Sequence, residues 1–149
     1  MEPCGRILGL DLGRRRIGVA LSDPAGLLAS PLGTIEVRGP DEGLDQVCAR
    51  IEEHDVVRVV VGLPLLLDGG EGEEARRVRG WVERLHRRVA VPVDLWDERL
   101  SSAAAERALL ESGMRRERRR RHRDAVAAAL ILQNYLDARA STTPGTAVP

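Results

Sequence analysis

The sequence predicts an α/β domain on a mixed five-stranded sheet, with three antiparallel strands followed by two parallel ones and helices on its flanks. Two short apolar runs joined by a tight turn open the chain, and two later apolar runs each follow a helical pattern. The length of 149 residues suits one domain with an ordinary core. We expect residues 1–139 to form this domain and residues 140–149 to be a disordered tail rich in Thr, Pro and Gly.

The first three strands are predicted near the N-terminus. Arg6–Asp11 and Ile17–Ser22 are apolar runs of strand length, separated by a Gly- and Arg-containing segment typical of a hairpin turn. A third strand covers about Leu27–Val37 and is interrupted early by Pro31 and Gly33. Because short turns join neighbouring strands in opposite directions, these three are expected to pair antiparallel.

The two parallel strands alternate with helices. Apolar residues at helical spacing predict one helix that begins near Asp41 and another that ends at about Arg88. Between them, Val56–Gly62 is almost continuously β-branched, which is typical of a strand covered on both faces. A loop over Leu63–Gly72 follows it, and the last strand is predicted over Val91–Trp96.

Two further helices are predicted in the C-terminal third. Ser101 or Ser102 can cap a helix that Gly113 closes, and a final helix runs from about His122 to Ala138.

Charge is distributed unevenly along the chain. The formal net charge is zero, but residues 115–123, here called the arginine strip, hold seven Arg and one Glu and carry +6, which leaves −6 for the remainder. A cationic segment on an acidic chain favours a polyanionic partner. The alternative interpretation of the arginine strip is a solvated linker between helices. With only three aromatic residues, a base-stacking platform for single-stranded nucleic acid is weakly supported.

Composition also excludes several classes of protein. Cys4 and Cys48 are far apart and form no Cys-x-x-Cys, which excludes a zinc ribbon, an iron–sulfur site and a disulfide scaffold. No apolar run approaches the length that spans a bilayer or has the form of a signal peptide. We therefore expect a cytoplasmic protein that does not contact membranes.

Three acidic residues are candidate catalytic groups. Asp11 closes the first strand, Glu98 follows the last strand, and Asp124 opens the final helix. Sites in open α/β sheets form at the carboxyl ends of strands, and the alanines after Asp124 would let that helix approach the sheet closely. Carboxylate oxygens suit Mg²⁺ or Mn²⁺, and two such ions can activate water and stabilise the leaving oxygen in phosphodiester cleavage. Taken singly, each acid also has a structural interpretation as a turn former, an exposed ion-pair member or a helix-dipole partner.

Four ordered blocks of sequence carry a family resemblance. They are GLDLGRRRIGVALSD (Gly9–Asp23), VVGLPLLLDG (Val60–Gly69), DERLSS (Asp97–Ser102) and RDAVAAALILQNYLD (Arg123–Asp137). In order and separation they resemble the YqgF/RuvX family, which comprises Holliday-junction-resolvase-like proteins also described as pre-16S rRNA nucleases. The resemblance extends from about Arg6 to Asp137.

This resemblance implies a ribonuclease H-like fold and a role in maturing the 5′ end of the small-subunit ribosomal RNA precursor. It also implies that Asp11, Glu98 and Asp124 are the metal-binding acids, with Mg²⁺ or Mn²⁺ as the cofactor, two ions being expected. The chain departs from the family at Arg14, where a small hydroxyl residue is common, and mildly at Ser101 and Ser102, where threonine is frequent.

Three functional hypotheses follow. The first is a metal-dependent nuclease, monomeric or homodimeric, that acts on structured RNA such as pre-rRNA, with junction DNA as the alternative substrate. Its expected phosphate-binding residues are all arginines: Arg14, Arg15, Arg16, Arg99, Arg116, Arg119, Arg120 and Arg123. The second is a non-catalytic assembly factor that clamps ribosomal RNA through the arginine strip. The third is a nucleotide-binding regulator, because D-x-G before a hairpin also resembles the phosphate loop of sugar kinases, actin and chaperone ATPases, which enclose a nucleotide between two such domains.

Overall fold

The computed structural model describes residues 5–39, 42–98 and 116–141, and in the last of these ranges it describes side chains from Asp124 to Ala140. Within these ranges eight elements follow one another. They are β1 (Arg6–Leu12), β2 (Arg16–Ser22), β3 (Ala29–Glu36), α1 (Glu42–Glu53), β4 (Val56–Leu63), α2 (Glu73–Arg88), β5 (Val93–Asp97) and α3 (Arg116–Ser141).

The five strands form one sheet in the order β3-β2-β1-β4-β5. β1 pairs antiparallel with β2, and β2 with β3, whereas β4 lies parallel to both β1 and β5. The predicted mixed sheet, with three antiparallel and two parallel strands, is therefore confirmed. The parallel arrangement brings the carboxyl ends of β1, β4 and β5 to one edge of the sheet.

The sheet is covered on both faces, and alternate residues of each strand enter different cores. On one face, Leu8 and Leu10 of β1 pack with apolar residues of α1 and α2. On the other face, Ile7 of β1 and Val60 of β4 pack with α3, which contributes small or branched residues such as Ala128. Asp11 lies four residues after Ile7 in β1, and alternate residues of a strand share a face. Its side chain therefore points to the face that α3 covers.

The final helix begins six residues earlier than predicted. The sequence places its start at about His122, where the apolar pattern begins, but α3 starts at Arg116. Arginine has a high helix propensity, so the arginine strip can continue the helix without contributing an apolar stripe. The helix predicted between Ser101 and Gly113 lies outside the described residues.

β3 forms one edge of the sheet and is irregular. Pro31 lies opposite Ala20, and the register shifts between Val19 and Ala20 of β2. Gly33 has a φ of 146°, which other residues rarely adopt. Leu32, between them, is exposed. Elsewhere, no helix within the described ranges combines the length and apolarity needed to cross a membrane.

Candidate carboxylate site at the sheet edge

Asp11 and Glu98 meet at the carboxyl ends of β1 and β5. β4 lies between these strands, so the Glu98 side chain must pass over β4 to reach Asp11. Gly62 of β4 leaves room for it, because a Cβ at this position would lie 2.8 Å from Glu98 Oε2. When Glu98 is protonated, its carboxyl group donates a hydrogen bond to Asp11. The sequence predicted both acids at this edge. It did not predict that Gly62, which has no side chain, leaves the space in which they touch.

Asp124 is brought to the same face by α3. A Cβ on Gly18 would lie 1.9 Å from the carbonyl oxygen of Asp124, and one on Gly9 would lie 2.8 Å from Leu132 Cβ. The helix axis therefore approaches β1 and β2 more closely than any side chain there would permit. The predicted close approach is correct, but it needs these strand glycines as well as the helix alanines. Asp124 lies two turns inside α3, so the alternative reading as a helix-dipole partner at the N-terminus is wrong.

The environment of Asp11 and Glu98 favours their protonated forms. Burial, followed by the charge of Asp124, raises the pKa of Asp11 from 3.8 to about 6, while a hydrogen bond from Glu98 and the charge of Arg77 act against that rise. Burial, followed by the charge of Asp11, raises the pKa of Glu98 from 4.5 to about 7. Two carboxylates this close compete for one proton near neutral pH. The same negative charge can be balanced by a cation instead.

Asp124 is engaged by a guanidinium. Arg16 Nε donates to Asp124 Oδ2 at 3.0 Å, and the two side chains are 28% and 27% exposed. Within the described part of the chain, no group of three or more His, Cys, Asp or Glu is arranged to hold a metal ion. The structure thus joins two of the predicted acids directly, while the third acts on Asp11 through its charge and is bonded to Arg16.

The donor set nevertheless fits a hard divalent cation. Asp11 and Glu98 supply carboxylate oxygens, the ligands that Mg²⁺ and Mn²⁺ prefer. Burial and mutual repulsion raise both pKa values, so a bound cation would stabilise the ionised pair. Asp11 and Glu98 would hold the cation, and Asp124 is the nearby acid that could join them.

Arg77 of α2 is a site residue that the sequence did not indicate. Its Nη2 donates to the carbonyl oxygen of Leu12 at 2.8 Å and to Glu74 at 2.9 Å. Its charge lowers the pKa of both Asp11 and Glu98. The only available signal is its position early in a helix that follows β4, because such a helix starts at the same sheet edge.

The predicted phosphate-binding arginines have different surroundings. Arg14 Nε donates to Glu74 Oε1 at 2.9 Å, and Arg16 bonds Asp124. Arg15 is exposed, and its side chain makes no ion pair within the described ranges. Arg99 and the side chains of Arg116, Arg119, Arg120 and Arg123 lie outside the described residues.

Comparison with known proteins extends over almost the whole chain. The family described as "RuvX: Holliday junction resolvase" matches residues 5–138. A protein of Symbiobacterium thermophilum named "Putative pre-16S rRNA nuclease" is 48% identical over 139 residues, which cover 93% of this chain and 96% of that protein. A Roseiflexus protein of the same name is 44% identical over 136 residues, covering 91% and 96%.

Solved structures share the fold at low sequence identity. Thermus thermophilus RuvC in complex with a Holliday junction superposes with a TM-score of 0.55 at 20% identity, covering 93% of this chain and 97% of RuvC. Fowlpox virus resolvase with Holliday junction DNA gives a TM-score of 0.56 at 7% identity, covering 90% and 98%. The predicted ribonuclease H-like fold is thereby confirmed.

Proposed function

The chain belongs to the RuvX family of Holliday junction resolvases, and from this premise we propose that it is a divalent-metal-dependent nuclease that processes the 5′ end of pre-16S rRNA. The observation that carries the proposal is the half-buried Asp11–Glu98 pair, whose charge needs a cation or a proton. The names of the homologues support the RNA substrate. Action on a ribosomal RNA precursor would place the protein in the cytoplasm. We propose that it acts there as a monomer or a homodimer.

Each residue of the site has a part in this reaction. Asp11 and Glu98 would hold the cation, and Asp124 would complete the ligand set. When bound, one or two divalent ions supply charge that activates a water molecule and stabilises the departing oxygen of the phosphodiester. Arg77 offsets part of the carboxylate charge and is fixed by Glu74 and the carbonyl oxygen of Leu12.

Substrate binding is assigned to the arginines. Arg15 is exposed at the β1–β2 hairpin and can donate to a phosphate, as can Arg14 when Glu74 releases it. The arginine strip adds sequence-independent attraction, which weakens with salt by about 0.7–0.9 log units per phosphate contact for each log unit of salt.

The proposal is tested by cleavage of a pre-16S rRNA transcript with Mg²⁺, with Mn²⁺ or with EDTA. Asp11→Asn, Glu98→Gln and Asp124→Asn should each lower the cleavage rate by at least about 100-fold and leave RNA affinity nearly unchanged. Asp45→Asn is the matched control, because Asp45 is an exposed acid on α1 that pairs with Arg88. Cleavage by Asp11→Asn at the wild-type rate would disprove the proposal.

Two alternatives are separated by the same assay. Junction DNA is favoured by the likeness to resolvases solved with Holliday junctions, so a four-way DNA junction is cleaved alongside the transcript. A non-catalytic assembly factor would bind the transcript with a steep salt dependence and show no cation-dependent cleavage of either substrate.

A further inference from the structure

The ion pair between Arg16 and Asp124 ties β2 to α3 at the edge of the carboxylate site. It is only about one-quarter exposed on each side, with Nε and Oδ2 3.0 Å apart. A charge-assisted hydrogen bond in such a partly buried place is stronger than an exposed surface pair. It therefore constrains the direction of the Asp124 carboxylate in the free protein.

The backbone around this pair is held firmly. Gly18 lies two residues after Arg16 in β2 and so faces the same side of the sheet. The carbonyl group of Asp124 is packed directly over Gly18. Because neither backbone can move far, the choice of partner for the Asp124 carboxylate is a matter of side-chain rotation.

Two partners compete for that carboxylate. Arg16 holds it by a hydrogen bond, whereas its relation to Asp11 is only through charge. Asp11 makes its own carboxyl contact with Glu98. This arrangement explains why the three acids form no ready metal site within the described part of the chain.

Arg16 has capacity for a second acceptor. Within the described residues, Nε makes the only hydrogen bond of its guanidinium, which leaves the Nη donors available. A guanidinium offers two parallel donors to a phosphate, and this geometry binds a diester more specifically than a single point charge does. The neighbouring Arg15 already presents its side chain to solvent at the same hairpin.

We propose that Arg16 is a positioning residue that keeps Asp124 away from the Asp11–Glu98 pair until a backbone phosphate of the nucleic acid takes over its guanidinium. Asp124 is then released to complete the cation site. This inference rests on the proposed function. It makes nucleic-acid and cation binding mutually dependent, since coupling between two binding sites is reciprocal.

The test is the affinity of the full chain for Mn²⁺ without nucleic acid, measured by calorimetry. Arg16→Gln should bind Mn²⁺ about tenfold more tightly than the wild type, which corresponds to about 1.4 kcal/mol. Arg15→Gln removes the same charge one residue away, from an exposed side chain that solvent screens, and should change the affinity by less than about threefold. Simple damage to the site would weaken binding, so tighter binding is specific to the proposed role.

A double-mutant cycle identifies the route of the effect. If Arg16 acts through Asp124, Arg16→Gln has no further effect on Mn²⁺ affinity in an Asp124→Asn background. An equal gain in both backgrounds, or no gain in either, would overturn the inference. Arg16→Met, which keeps the apolar stem of the side chain, replaces Arg16→Gln if circular dichroism shows that the latter does not fold. Failure of the proposed function appears separately, as absence of cation-dependent cleavage by the wild type.

Discussion

Substitution of Asp11 by asparagine should stabilise the metal-free protein at neutral pH while it removes a catalytic acid. In the folded chain, burial and the charge of Asp124 raise the pKa of Asp11 from 3.8 to about 6. A folded pKa above the unfolded one means that this group contributes full stability below its unfolded value. That contribution is lost as the pH rises through about 6, because the ionised form is then buried.

The size of the effect follows from the displaced pKa. At about 1.4 kcal/mol per pH unit, the change from 3.8 to about 6 corresponds to roughly 3 kcal/mol of unfavourable free energy for ionised Asp11. Asparagine still places a polar amide beside Glu98, and the desolvation of that amide offsets part of the gain. We therefore expect a net gain in the free energy of unfolding of about 1–2 kcal/mol at pH 8.

Urea unfolding with EDTA at pH 4.5, 6 and 8 measures this difference. The advantage of Asp11→Asn should be small at pH 4.5, be largely developed at pH 6 and level off by pH 8, because the loss begins above the unfolded pKa of 3.8 and is nearly complete above the folded pKa of about 6. Asp23→Asn is a control of opposite sign, since backbone hydrogen bonds from Leu28 and Leu27 lower the pKa of Asp23 and its loss should destabilise the fold at pH 8. An Asp11→Asn protein less stable than the wild type at pH 8, or a difference independent of pH, would refute the reasoning.

Three further predictions concern the scaffold around the site. Gly18→Ala should lower the free energy of unfolding by more than about 3 kcal/mol, because its Cβ would lie 1.9 Å from the Asp124 carbonyl oxygen; chemical denaturation measures the loss. Tyr135→Phe should lower it by about 1 kcal/mol, since the hydroxyl donates to Asp94 Oδ2 at 2.6 Å, and should leave RNA cleavage unchanged. Arg77→Gln should raise the pKa of Glu98 above about 7, because the Arg77 charge now lowers it; carboxyl ¹³C NMR titration reports the shift.

Matched variants make these three results interpretable. Gly39→Ala is the control for replacing a glycine where no helix packs against it. A Cβ at Gly39 meets nothing within 4 Å, so this substitution should be tolerated. Arg76→Gln removes the neighbouring charge on α2 and should leave the Glu98 titration in place. A tolerated Gly18→Ala, a Tyr135→Phe that halts cleavage, or a Glu98 pKa that falls in Arg77→Gln would each contradict the corresponding prediction.

β1, β2 and β4 could be predicted from sequence because local signals bounded them, whereas β3 and β5 each begin two residues later than predicted. The β-branched run that begins at Val56 and the alternation around the Arg14–Arg16 turn determined both length and partner direction, and the structure extends them by one residue at most. The start of α3 could not be found in this way. Helical arginines carry no apolar periodicity, so the pattern indicated only the packed part of the helix.

The contacts of the three acidic side chains could not be predicted from local sequence patterns. Asp11 and Glu98 could be assigned to one sheet edge from strand order alone. Their mutual hydrogen bond depends on Gly62 in the strand between them, and the diversion of Asp124 depends on Arg16 from another strand. Arg77 was one arginine among many on a polar helix surface. Each of these relations joins residues far apart in sequence, so only the folded chain reveals them.

The irregular β3 strand has a consequence for self-association. A bare strand edge offers unpaired amide and carbonyl groups to a second chain and can nucleate fibrils. Pro31 lacks an amide hydrogen, and the positive φ of Gly33 together with the shifted register interrupts the repeat that an incoming strand would need. The opposite margin is β5, only five residues long. Continuous sheets across two copies are therefore disfavoured, and any homodimer would join through helices or loops.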